Sequence, residues 1–413
     1  MLDFIRKVVV HVKKCIFIYR EDKYMKDKEE VCLGIECSWE KEYASISPEI
    51  VQTSSFRFKN FKHYVEVNTH QKKAYTYTRG DNPTLKILED KIAKLEGGEC
   101  ARSFASGMGA ISSTILSLVS SHDHVLIVNT VYGSSLKLVK NLSRFGIECC
   151  QVNISQTSDL LEYIQDNTKM IYFESPSSQK FEMLDLKWIS DIAKQRHIYT
   201  VIDNTWATPL FQNPIEYGID VVIHSCSKYI GGHSDIVGGI VISSYEIMKK
   251  IDDFGSILLG ATMSPMNAWL AIRGLRTLPT RLKQQNESIQ KVIDYMLEDH
   301  RIEMVYHPYC CQKELSKTYL KGQGSLFSFV LKDANESIIE TFIDSLKYFT
   351  LAYSWGGFES LVMPVFKGDN EKELKERGLA FGHIRMYIGL EDVNLLIKDI
   401  QYSLDKAYGK DSH

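Results

Sequence analysis

A chain of 413 residues with 44% hydrophobic and 24% charged residues is long enough to bury a large core and to divide into more than one folding unit. Its formal net charge of -3, with both signs mixed along the chain, offers no long-range field to nucleic acid or an anionic membrane, so small-molecule chemistry is favoured. The nine cysteines are an odd count that includes the adjacent pairs Cys149-Cys150 and Cys310-Cys311, and without CxxC spacing they fit a reducing, cytoplasmic setting.

The first apolar run, residues 4–19, is broken by Arg6, Lys7, Lys13 and Lys14. It is too short and too charged to span a bilayer, and no small-residue cleavage site follows before Arg20-Glu21-Asp22. Residues 1–60, ending in the extended Ser/Thr-rich stretch 51–56, read as an N-terminal arm for subunit contacts. From 82 to 96, Leu85, Leu88, Ile92 and Leu95 recur at helical spacing and Gly97-Gly98 stops the run, which predicts a helix.

Beyond it, short apolar runs at 124–131, 170–174, 198–203 and 221–225 predict buried strands, with helices at 135–145, 158–166 and 186–196 between them. This alternation implies an α/β architecture with a mostly parallel sheet covered on both faces. Ligands of such sheets bind beyond the carboxyl ends of the strands, which draws attention to Glu174, Asp203 and the stretch from Ser225 to Lys228. A large domain over 61–262 is the expectation.

Ser264-Pro265 is a cap followed by a proline at the first helical position, opening a helical region to about residue 298 with breaks expected near Gly274 and Pro279. It introduces a smaller C-terminal part, 263–413, with strands at 325–331 and 383–388. The last helix carries Val393, Leu396, Ile397, Ile400 and Leu404 on one face.

The densest chemical signal is Asp203-Asn204-Thr205-Trp206-Ala207-Thr208-Pro209, then His224-Ser225-Cys226-Ser227-Lys228-Tyr229, then Gly231-Gly232-His233-Ser234-Asp235. One carboxylate and one lysine at neighbouring strand ends match two needs of a pyridoxal site. A lysine amine bonds covalently to the cofactor, and a carboxylate keeps the pyridine nitrogen protonated. Taken singly, such a lysine is as ordinary as any solvated surface charge, and the aspartate as ordinary as a helix cap. His233 has no second ligand at a suitable spacing and reads as structural rather than metal-binding. A nicotinamide-binding Rossmann fold would share the alternation but needs a GxGxxG after the first strand, which is missing.

In order and spacing these motifs resemble the Cys/Met-metabolism, or transsulfuration, family of pyridoxal-phosphate enzymes. The likeness extends upstream through Tyr75-Thr76-Tyr77-Thr78-Arg79, Asn82-Pro83-Thr84 and Ser106-Gly107-Met108-Gly109-Ala110. Downstream it runs through Arg273-Gly274-Leu275-Arg276-Thr277-Leu278 to Ile384-Arg385 and Gly389-Leu390-Glu391-Asp392, covering roughly residues 45–408. The resemblance implies a fold-type I, aspartate-aminotransferase-like transferase fold and pyridoxal 5'-phosphate as cofactor. It also implies a cytoplasmic homotetramer of dimers with shared active sites.

Roles follow from the same likeness. Lys228 would hold the cofactor and act as base, Asp203 would face the pyridine nitrogen, and Tyr132 would stack on the ring. Ser106, Gly107 and Met108, at a helix start, would bind the phosphate with Ser225 and Ser227, the latter standing where the family usually has threonine. Tyr77 and Arg79 would reach that phosphate from the neighbouring subunit, and Arg385 would grip the substrate carboxylate.

For the reaction, the segment 353–361, with Ser354 and Trp355, resembles that of bacterial cystathionine β-lyases, where γ-enzymes usually have leucine at Trp355. Glu174-Ser175-Pro176-Ser177-Ser178 also lacks the Asn-Pro common in γ-enzymes. The expectation is α,β-elimination from cystathionine, with γ-lyase, γ-synthase and related γ-replacement chemistry as alternatives. Trp355 as plain core packing stands beside the specificity role.

Overall fold

The computed structural model describes residues 23–35 and 45–409, so the apolar run 4–19 lies outside the described residues. Two sheets organise the chain. The first has seven strands: β1 (Cys100–Phe104), β2 (His124–Val128), β3 (Glu148–Val152), β4 (Thr168–Glu174), β5 (Tyr199–Asp203), β6 (Val221–Ser225) and β7 (Gly239–Ser243). Their order is β1-β7-β6-β5-β4-β2-β3, parallel throughout except for β7, which runs antiparallel to both neighbours. The continuous apolar runs predicted as strands are buried on both faces, as a parallel sheet requires.

The covering helices follow local rules. α1 (Lys23–Leu33) precedes α2 (Pro83–Glu96), which starts on Asn82, whose side chain accepts the Thr84 N–H, with Pro83 at the first turn. It stops where Gly97 takes φ 81°, a left-handed value that glycine adopts without a Cβ clash. α3 (Gly107–Leu118) is capped by the Ser106 hydroxyl, which accepts the Gly109 N–H at 2.9 Å. α4 (Gly133–Asn141) and α5 (Leu186–Gln195) complete the set needed here.

Three predicted elements differ. The strand expected to reach 131 ends at Val128, because Asn129 turns the chain at φ 57° and its side chain accepts the Ile154 N–H. The helix expected at 158–166 is a 3-10 segment, Thr157–Tyr163, in which only Leu160 is buried, too little apolar anchoring for a full α-helix. Part of the predicted arm, α1, instead packs on α2 and on the long helix below, with Met25 and Cys32 inside the main core.

α6 (Pro265–Glu298) runs unbroken through Gly274 and Pro279, where breaks were expected. Leu275, Leu278 and Leu282 bury beside the proline, and this packing outweighs the lost backbone bond. The helix leads to the second sheet: β8 (Ile302–Tyr306), β9 (Leu326–Leu331), β10 (Thr350–Leu351), β11 (Leu361–Pro364) and β12 (His383–Tyr387), ordered β10-β11-β12-β9-β8. α7 (Val393–Tyr408) covers it, burying Val393, Leu396, Ile400 and Leu404. One core cluster joins the sheets, since Tyr229, Leu326, Leu361 and Tyr387 belong to it together with the α1-α2-α6 face of the first sheet.

Candidate active site

β5 and β6 lie parallel and adjacent, so their carboxyl ends bring Asp203 and the turn beginning at Ser225 to one edge. Asp203 accepts the Thr205 N–H at 3.0 Å and the Thr205 hydroxyl, and that hydroxyl accepts the Ser225 N–H at 2.8 Å. The two strand ends are thereby locked together. Burial raises the Asp203 pKa, against the pull of the Thr205 bonds, His224 and Lys228. On the other face of β6, the buried His224 ring meets Glu96 of α2 at 2.8 Å, fixing the last turn of that helix to the strand.

Lys228 is held from the second sheet's side. Its Nζ donates to Ser354 Oγ at 2.6 Å and lies 5.5 Å from the centre of the Trp355 ring. Trp355 in turn packs edge-on against Tyr229, 5.4 Å between centroids, so it is both a core contact and a wall of the lysine's chamber. Ser354 has φ 91°, a conformation costly for a residue with a Cβ. Gly356 follows at φ 92°, and a Cβ there would stand 2.6 Å from the Tyr229 nitrogen and 2.9 Å from Lys228 Cα. Burial, with Arg385 adding to it, lowers the Lys228 pKa to about 8, opposed by Asp203. At pH 7 about a tenth of this amine is then neutral, far more than for an ordinary lysine.

Arg385 sits inside β12, its Nη2 3.9 Å from Met363 Sδ in the adjoining strand β11. Burial lowers its pKa to about 10, countered by Tyr132 and Glu174. A narrow cleft lined by Ser354, Leu361, Met363, Arg385 and Tyr387 lies beside it. A guanidinium in such surroundings could pair with a carboxylate.

At the start of α3, Ser225 and the helix N-terminus meet: a Cβ on Gly107 would be 3.2 Å from Ser225 Cβ and Oγ. Gly239 backs the same corner, where a Cβ would lie 2.4 Å from the Ser106 carbonyl oxygen. The first N–H groups of a helix have no intrahelical acceptor, so this cradle, kept clear by glycines, presents donors to an anion. The residues present thus fit pyridoxal phosphate: a cradle for its phosphate, a carboxylate for its ring nitrogen and a buried lysine for its carbonyl.

The structure brings Asp203, Ser225, Lys228, Ser354, Trp355 and Arg385 into one region, with Ser106, Gly107 and Met108 against Ser225. Ser227 Oγ accepts the Gly238 N–H at 3.1 Å, one residue from Gly239 at that corner. Tyr132, 52% exposed, caps this edge with its N–H bound to Glu174. Tyr77 and Arg79 face solvent, the Arg79 guanidinium 5.5 Å from its own Tyr77 ring, and no described contact ties them to Lys228 or α3. His233 bonds the Gly231 carbonyl through Nδ1 at 2.7 Å. Among the described residues no three His, Cys, Asp or Glu side chains are grouped to hold a metal ion, and no helix is long and apolar enough to cross a membrane. In the sequence Glu174 is marked only as the end of a strand. Its bonds to Tyr132 and Ser178 arise only in the folded chain.

The chain resembles known proteins over most of its length. It is 37% identical over 377 residues to a cystathionine β-lyase of Lactococcus lactis subsp. cremoris, spanning 89% of this chain and 96% of that protein. An L-methionine γ-lyase of Fusobacterium nucleatum subsp. polymorphum is 34% identical over 374 residues, 88% of this chain and 94% of its own. Among solved structures, cystathionine γ-synthase from Xanthomonas oryzae pv. oryzae, in complex with aminoacrylate and cysteine, superposes with a TM-score of 0.86 at 30% identity. That likeness covers 92% of this chain and 98% of that one. The profile of the Cys/Met metabolism PLP-dependent enzymes matches residues 32–405. An α/β chain with this lysine, carboxylate and phosphate cradle, matched over nearly its whole length, belongs to the Cys/Met metabolism family of PLP-dependent enzymes.

Proposed function

We propose that the protein is a carbon-sulfur lyase that converts cystathionine and water into homocysteine, pyruvate and ammonia by α,β-elimination. The observation that carries this reading is the chamber around Lys228, where Ser354 holds the amine and Trp355 closes the space beside it. The naming of the Lactococcus relative as a cystathionine β-lyase supports it.

When bound, pyridoxal phosphate supplies a carbonyl for covalent attachment and a conjugated ring that accepts the electron pair left on the substrate's α-carbon. The chain's residues do the rest. Gly107, Met108 and Ser225 would bind the phosphate, Asp203 would pair as a carboxylate with the ring nitrogen, and Tyr132 would cover the ring. Arg385 takes the substrate carboxylate in a bidentate grip, which orients the α-hydrogen toward Lys228. Lys228 would remove that proton through its neutral Nζ, and Ser354 would fix the direction from which it approaches. Trp355 limits room beyond the β-carbon, so that the thiolate leaves from there.

In this reading the rest of the arm 1–60, beyond α1, serves subunit contacts, while 61–262 bind the cofactor and 263–413 complete the substrate side. Tyr77 and Arg79, both exposed, serve a neighbouring subunit's site in a cytoplasmic homotetramer. Two measurements test the proposal. Borohydride reduction should bleach a visible absorbance band and leave the adduct on Lys228, and an adduct on another lysine overturns the site. Cystathionine should give pyruvate and homocysteine, and 2-oxobutyrate with cysteine would replace the β-lyase reading by a γ-lyase.

A further inference from the structure

Glu174 closes β4 in register with Asp203 at the end of β5, so two carboxyl groups stand at neighbouring strand ends. Glu174 is 8% exposed. Its Oε1 accepts the Tyr132 N–H at 2.5 Å, and its Oε2 lies 2.6 Å from Ser178 Oγ. The Ser178 N–H bonds the Thr130 carbonyl at 2.9 Å, and the Thr130 hydroxyl reaches back to the Ser178 carbonyl. The loop bearing Tyr132 and the loop after β4 are therefore knotted around one carboxyl.

Such a pair in a low-dielectric interior holds one negative charge more readily than two. Its surroundings decide which member keeps the charge. Asp203 has two Thr205 donors, and Lys228 adds to their pull on its proton. Around Glu174 are Asp203 from β5, Tyr132 from the loop after β2, Tyr172 on its own strand and Arg385 from β12 at longer range. Burial first and Asp203 second raise the Glu174 pKa to about 8.

We propose that Glu174 is a positioning residue of the cofactor site, a neutral acid that fastens the Tyr132 loop to β4 while leaving the pair's single negative charge on Asp203. This rests on the reading above, in which Asp203 faces the ring nitrogen and Tyr132 covers the ring. In this state the carboxyl donates from Oε2 to Ser178 Oγ, the reverse of the bond that an ionised Glu174 accepts from that hydroxyl. Ionising Glu174 would place a second anion beside Asp203 and favour a proton on Asp203 instead.

Infrared difference spectroscopy on the cofactor-free protein tests the protonation state without relying on the reaction. Wild type should show a protonated-carboxyl stretch at neutral pH that titrates away with a midpoint near 8, and Glu174→Gln should lack it. In the loaded enzyme, Glu174→Leu should weaken cofactor binding and lower kcat/KM by about 10-fold to 100-fold, the range for orienting partners of a site. Glu174→Gln, which can still accept the Tyr132 N–H and donate to Ser178, should recover most of that loss and remove the fall in kcat/KM above about pH 8. An infrared band that persists in Glu174→Gln, or a glutamine variant as impaired as the leucine one, overturns the proposal. Should borohydride fail to label Lys228 in wild type, the reading of the site falls, while the infrared result still decides the charge state of Glu174.

Discussion

Gly356 lies against the backbone of Lys228 so closely that a side-chain carbon on it would stand 2.9 Å from Lys228 Cα, although 128 positions separate them in the chain. The loop that carries Ser354 and Trp355 is thus seated directly on the turn that carries the lysine. Gly356→Ala is expected to fold but to push this loop away, lowering kcat by about 100-fold, the scale of a 1 Å misplacement of a catalytic group. Near-normal kcat in a soluble variant would show that the seating is not needed.

The amine of Lys228 should behave as a base of unusual weakness. In cofactor-free protein its rate of modification by an amine-directed reagent should rise through a pKa of about 8. Mass-spectrometric mapping at a series of pH values reads this directly, and a midpoint near the ordinary lysine value of 10.5 would refute it. Lys228→Ala should abolish turnover, because anchor and proton carrier are lost together.

Trp355 borders the lysine and packs on Tyr229. Trp355→Leu should widen the chamber and raise the share of γ-elimination products from cystathionine. The measurement is the ratio of 2-oxobutyrate to pyruvate, and a ratio unchanged from wild type would leave Trp355 a packing residue only.

His307 and His383 are buried, and burial lowers each pKa to about 4. A histidine whose folded pKa lies below its unfolded value of about 6.5 stabilises the fold fully above that value and loses this contribution as pH falls toward the folded pKa. Stability measured by urea titration should therefore fall between about pH 6.5 and pH 4. His307→Gln should flatten part of that slope.

The contact between Glu96 and His224 is fully buried, linking α2 to β6 behind Asp203. Glu96→Ala leaves the histidine and its neighbours without that partner and should cost about 3–5 kcal/mol, as broken buried pairs do. Denaturant unfolding measures it, and a loss under about 1 kcal/mol would mean that the pair is replaceable.

The sheet edge that holds the site was legible because apolar runs end in residues of opposite chemistry: Asp203 after one strand, then Ser225 to Lys228 after the next. The start of α3 was legible too, since Ser106 before a glycine and an apolar helix is a cap in any fold. What the chain order hides are meetings between distant segments. Ser354 reaching the Lys228 amine, Met363 beside Arg385 and Tyr132 tied to Glu174 depend on how two sheets and two loops dock. The stop of β2 at Val128 needed the positive φ of Asn129, which an apolar pattern running on to Val131 conceals. The unbroken α6 reflects burial of its proline, a tertiary effect that local propensity argues against.

The core cluster that unites Tyr229 and Trp206 with Leu326, Leu361 and Tyr387 has a practical corollary. Lys228 and Arg385 border one dry seam between the two sheets. Loss of the ability to load cofactor should coincide with melting of the seam in a single transition, making the cofactor's colour a direct thermometer of folding.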